Sequence, residues 1–237
     1  FISFVGYVAV NLAGDRQRIA ITGLAGGLAS STAVTLTLAK VASENAGQAR
    51  LLAAGVLFAS AVMAGRVLAI AGVINPTVLV AIALPIGAVG AALALGALVL
   101  MLRSAGGEAD HGERSIALKN PFELGTVLQF GAILAAVILA TKVLTGLVGS
   151  AGAYLVAAVS GIADVDAITL SMARSAGGGG ATVAVAAVAI FIAVVVNTIT
   201  KAVMAWSIGG SAMGWPMAIV SALSIVAGAL GLMFGAR

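Results

Sequence analysis

No cysteine occurs anywhere in this chain, which excludes disulfide bridges, thiolate nucleophiles and cysteine-held metal centres. Histidine is nearly absent too. The single His111 lies among loop charges, so a histidine-based metal or acid–base site has too few members. Charged residues make up 8% of the chain, against about a quarter in a soluble domain. So few charges cannot cover a water-facing surface, and lipid must be the solvent for most of the protein. The net charge of +4 is too small and too dispersed for a nucleic-acid footprint and reads as topology information.

What is present agrees with that exclusion. Hydrophobic residues make up 62% of the 237 positions, and the mean hydropathy is +1.19. Glycine is abundant at 31 residues, as in membrane helices whose backbones approach closely. The apolar runs are long and unbroken rather than alternating, so the spans are expected to be helices, not barrel strands. The fold class is therefore all-α, a polytopic helical bundle.

Eight apolar segments approach the roughly 20 residues of a crossing. They run about 1–13, 19–40, 51–73, 76–102, 124–145, 152–173, 181–204 and 213–235. Asn75-Pro76 and Asn120-Pro121 mark helix starts, with Asn as cap and Pro in the first turn. Pro85 falls inside the fourth span, where a kink is expected. Trp206 and Trp215 flank "SIGGSAMG" as interface anchors. Even span parity and the loop lysines and arginines favour cytoplasmic termini in a bacterial inner membrane. The opening "FISFVGYVAV" has no initiator Met, so a piece of a longer chain is expected.

The chain also matches itself. "GLASSTAVTLTLAK" (27–40) lies over "GIADVDAITLSMAR" (161–174) at a spacing of 134 residues, and one residue more brings Arg66 onto Lys201 and Val62 onto Asn197. The expected organisation is repeat one over 1–103, a connector over 104–123 and repeat two over 124–237. An odd number of intervening crossings makes the repeat parallel, and one re-entrant segment would make it inverted.

Asp164 and Asp166 sit near the middle of the sixth span, where each costs about 2.5–3.5 kcal/mol on insertion. Two residues apart on a regular helix point about 200° away from each other, so one site for both requires a broken helix. Gly161 is the expected break and Asp164 the cap of a new half-helix. Gly26, Gly27 and Ser30 or Ser31 are expected to do the same in the second span. The candidate site holds Ser30, Ser31, Thr32, Asp164, Asp166 and Thr169, all hard oxygen ligands for Mg²⁺, Na⁺ or a proton. Asp164 and Asp166 would be the metal ligands, if a metal binds. Arg66 and Lys201 are the expected counter-charges, with Asn197 in the same polar network; snorkelling to the interface is the competing expectation for Lys201. Neutralised aspartates would suit an anion or a proton relay instead.

"GLAGGLASSTAVTLTLAK", "VMAGRVLAI", "NPFEL", "SGIADVDAITLSMAR" and "NTITKAVMA" resemble the membrane domain of unknown function found C-terminal to MgtC/SapB-type modules in bacteria. The resemblance covers nearly the whole chain and implies an MgtC/SapB-like module preceding it. It implies a link to magnesium homeostasis only through that other module, and assigns no catalytic residue.

Two functions follow as expectations. One is a transporter or channel for a small ion or solute, with the broken-helix site at its centre. The other is a non-transporting membrane partner, with Asp164 and Asp166 locked against Arg66 and Lys201. An intramembrane aspartyl protease needs two carboxylates brought face to face, and only one span carries centred aspartates, so no enzyme is expected. Expected partners are the bilayer, a small ion or solute and, in a homo-oligomer, further copies of the chain. No cofactor and no nucleic acid are expected.

Overall fold

The computed structural model describes residues 15–104 and 149–235, with isolated positions 139, 143 and 147 between them. The first expected span and the Asn120-Pro121 start lie outside the described residues, as does the fifth expected span apart from positions 139 and 143, both helical. Those residues form seven α-helices and no strand. They are α1 (Asp15–Glu44), α2 (Ala49–Ile74), α3 (Pro76–Arg103), α4 (Ser150–Ala163), α5 (Asp166–Gly177), α6 (Val183–Gly209) and α7 (Ser211–Gly235), with a 3₁₀ turn at Ala46–Gln48.

Lipid dictates this outcome. A backbone in hydrocarbon must satisfy its polar groups internally, and a helix does so within one segment. Among the described residues, five stretches are long and apolar enough to cross a membrane: Ile19–Glu44, Ala46–Ile74, Pro76–Arg103, Val183–Gly209 and Ser211–Phe234. Large apolar side chains such as Val73, Val80 and Val203 remain exposed on them. This is a helical membrane protein.

The helix ends follow local chemistry. Asn75 Oδ1 accepts the N–H groups of Thr77 and Val78 at 3.1 and 3.4 Å, opening α3 behind Pro76 as expected. α6 and α7 are separated by Gly210 alone, whose φ of +76° is open to glycine at little cost. Trp206 and Trp215 meet across that turn, their ring centroids 4.9 Å apart.

The chain forms two compact units, each drawing on both halves of the sequence. The first comprises Phe1–Met63, Ala92–Leu118 and Lys201–Ser221. The second comprises Ala64–Ala91, Lys119–Thr200 and Ala222–Arg237.

The same contacts recur inside each. In the first, a Cβ on Gly27 would fall 2.7 Å from Ala59 Cα. In the second, a Cβ on Gly161 would fall 2.6 Å from the Ala193 carbonyl oxygen. Gly27 and Gly161, like Ala59 and Ala193, are 134 residues apart. Gly96 lies against Val220 in the first unit, and Gly231 against Pro85 in the second. Asn75 Nδ2 donates to the Ala173 carbonyl at 3.2 Å in the second unit. In the first, a Cβ on Gly209 would sit 3.4 Å from the Ala39 carbonyl.

Candidate functional site

Both conspicuous motifs fall on breaks. In the first unit, α1 is interrupted at Ser30, which is extended at φ −163°, ψ 103°. Ser30 Oγ accepts the Ala33 N–H at 3.2 Å, so the hydroxyl caps the second half of α1. In the second unit, α4 stops at Ala163 and α5 restarts at Asp166, with Asp164 extended at φ −157°, ψ 151°.

Two expectations about these breaks are corrected. The interruption falls three residues after Gly27 and Gly161, not at the glycines. Those glycines are helical, and their missing side chains serve close approach to Ala59 and Ala193. Nor does the Asp164 side chain cap α5, which has no side-chain cap. Asp164 instead closes α4, its N–H donating to the Ser160 carbonyl at 2.9 Å. The Ser160 hydroxyl donates back to the Asp164 carbonyl at 3.2 Å.

The break separates the two carboxylates by environment. Asp164 is half-buried and forms no ion pair among the described residues. Asp166 is buried in the first turn of α5, where the positive end of the helix favours an anion. The Arg66 guanidinium donates through Nη2 to Asp166 Oδ2, forming the expected pair. Asp166 Oδ1 is buried without a hydrogen-bond partner. Asn197 Nδ2 donates to the Gly161 carbonyl at 2.8 Å, and its own Oδ1 is likewise buried and unpartnered.

The first unit holds a different polar cluster. Lys201 is 1% exposed, which overturns the snorkelling expectation. Its ammonium donates to Ser31 Oγ at 2.7 Å and lies 3.2 Å from Met63 Sδ. Thr32 is half-buried beside this cluster in sequence.

Thr169, in the second unit, spends its hydroxyl hydrogen on the Val165 carbonyl at 2.8 Å. Thr35 does the same with the Ser31 carbonyl, also at 2.8 Å.

The structure thus joins Asp166 with Arg66, and Ser31 with Lys201. Met63, Ala59 and Ala193 were missed by sequence reasoning. The 134-residue spacing carried to Ala59 and Ala193 would have found those two, and the same spacing places Met63 on Asn197. No group of three or more His, Cys, Asp or Glu side chains capable of holding a metal occurs among the described residues.

Comparison with known proteins assigns no activity. An uncharacterized protein of Aquifex aeolicus (strain VF5) is 30% identical over 183 residues, covering 77% of this chain and 78% of the relative. No solved structure matches the chain. Residues 1–209 match the family described as a domain of unknown function (DUF4010), and the chain belongs to that family.

Proposed function

We propose that the protein is a transporter-like carrier or channel for a small ion or solute, built on a duplicated unit with a broken helix in each copy. The observation that carries this reading is the pair of extended breaks at Ser30 and Asp164, each bordered by a buried residue bonded to a basic side chain. Discontinuous helices of this kind form the substrate and ion sites of secondary transporters, and such folds are commonly internal repeats. The recurring contacts of Gly27 and Gly161, and of Thr35 and Thr169, support the duplication.

An ionisable residue inside a membrane helix is functional by default because its insertion cost must be offset. Asp166, Lys201 and Ser31 are the central residues of this reading, with Asp164, Ser30, Thr32 and Thr169 lining the breaks. It assigns no catalytic step. It keeps eight spans, termini on the cytoplasmic side of a bacterial inner membrane and an MgtC/SapB-like module ahead of this domain.

A proteoliposome flux screen with Mg²⁺, Na⁺, K⁺, protons and common anions tests it. Flux by the parent is expected to disappear in Asp164→Asn and Asp166→Asn variants that still insert. Undiminished flux in both variants removes the site from the pathway.

The Arg66–Asp166 pair favours one alternative, a non-transporting partner in ion homeostasis whose charges only hold helices together. In that case a charge swap, Arg66→Asp with Asp166→Arg, restores stability and the purified protein moves nothing.

A further inference from the structure

Two oxygens of the second unit are left over by the bonds that orient their side chains. Asp166 is 6% exposed and Asn197 2%. Asp166 Oδ2 is held by Arg66, and Asn197 Nδ2 holds the Gly161 carbonyl, leaving Oδ1 of each residue buried and unpartnered. Gly161 lies in the last turn of α4 and Asp166 in the first turn of α5, so both groups border the same break. The last carbonyls of a helix lack intrahelical donors and carry its negative partial charge.

We propose that this break binds a dehydrated monovalent metal cation of the sodium class. Asp166 Oδ1 and Asn197 Oδ1 are its side-chain ligands, and the carbonyl end of α4 supplies backbone oxygen. The proposal rests on the transporter reading and names the ion that site takes.

The chemistry selects the class of ion. Every donor is a hard oxygen, which excludes soft metals. A divalent ion is a poor match: Ca²⁺ gathers six to eight oxygens, commonly several carboxylates, and Mg²⁺ keeps its waters in a near-ideal octahedron. Here a single carboxylate is already half committed to Arg66. One added positive charge is opposed by the spare carboxylate oxygen, the amide oxygen and the negative end of α4. Half-helix C-terminal ends and unwound carbonyls coordinate Na⁺ in transporters of this construction. The first unit lacks the carboxylate and the amide, since Thr32 and Met63 stand 134 residues before Asp166 and Asn197.

Thermal unfolding of the purified full chain in detergent tests the site without any flux. Choline chloride is replaced stepwise by NaCl at fixed pH and ionic strength, with KCl and MgCl₂ as comparisons. A ligand that binds only the folded state raises Tm with its concentration. The expected result is an upward shift with Na⁺ that is larger than with K⁺ or Mg²⁺.

Asn197→Ala, which leaves the ion pair intact, is expected to weaken the apparent Na⁺ affinity about tenfold or more, since losing even an outer-shell partner of a metal ligand costs that much. The double variant Arg66→Gln with Asp166→Asn removes both charges together and is expected to lose the response. The site is overturned by a folded parent without a Na⁺-specific shift, or by a shift undiminished in both variants. A response to pH alone, or to Mg²⁺ in preference, overturns it as well. Absent binding with flux intact removes only the ion assignment, and Na⁺ binding without flux removes only the transport reading.

Discussion

At the scale of single residues, the protein keeps charge in its interior and holds each buried charge in polar contacts. Asp166 and Arg66 neutralise each other, with side-chain exposures of 7% and 26%. Lys201 is oriented by a hydroxyl and a thioether. Removing one member of a buried pair strands the other charge. Arg66→Ala is therefore expected to destabilise the protein by about 3–5 kcal/mol. Replacing both with Leu avoids the stranded charge and is expected to cost much less. Denaturant unfolding of the two variants in detergent separates these outcomes, and equal losses would show that the pair carries no coupling. The charged residues of these clusters were legible in the sequence because charge is so scarce there. Which base meets which acid was not, since Arg66 and Asp166 are 100 residues apart.

Among the elements, the long helices were legible nearly to their ends. The expected spans 51–73 and 76–102 became Ala49–Ile74 and Pro76–Arg103, because bilayer thickness sets helix length and Asn75-Pro76 punctuates the chain. The breaks were located only approximately. Glycine permits an interruption, but at Gly27 and Gly161 its small size is used for packing instead. This distinction gives a prediction. Gly161→Ala drives a methyl group into the Ala193 backbone and is expected to cost about 1–3 kcal/mol. Gly65→Ala, inside α2 and open to space, is expected to be neutral or to stabilise by up to about 1 kcal/mol. Parallel unfolding curves test the contrast, and equal effects at both positions would remove the close-packing role of Gly161.

The whole molecule shows an exchange of segments that no local pattern announces. The first unit takes Lys201–Ser221 from the second half of the sequence, and the second takes Ala64–Ala91 from the first half. Lys201 reaches Ser31, and Arg66 reaches Asp166, through this exchange. Residues 1–118 or 119–237 expressed alone are therefore expected to be degraded in membranes. Co-expressed, they are expected to accumulate and co-purify. Stable accumulation of either half by itself would contradict the dependence of each unit on both halves.

Composition and periodicity alone determined that this is a helical membrane protein, roughly where the described long helices lie, and which few polar residues carry an insertion cost. Those properties follow from bilayer thickness and from the penalty on unsatisfied polar groups, both of which act on local sequence. The tertiary structure decided the position of each break, the burial of Lys201, the partner of Asp166 and the two oxygens left without one. Those depend on contacts between helices distant along the chain, where a glycine without a Cβ or a serine hydroxyl acquires its role only from what is packed against it.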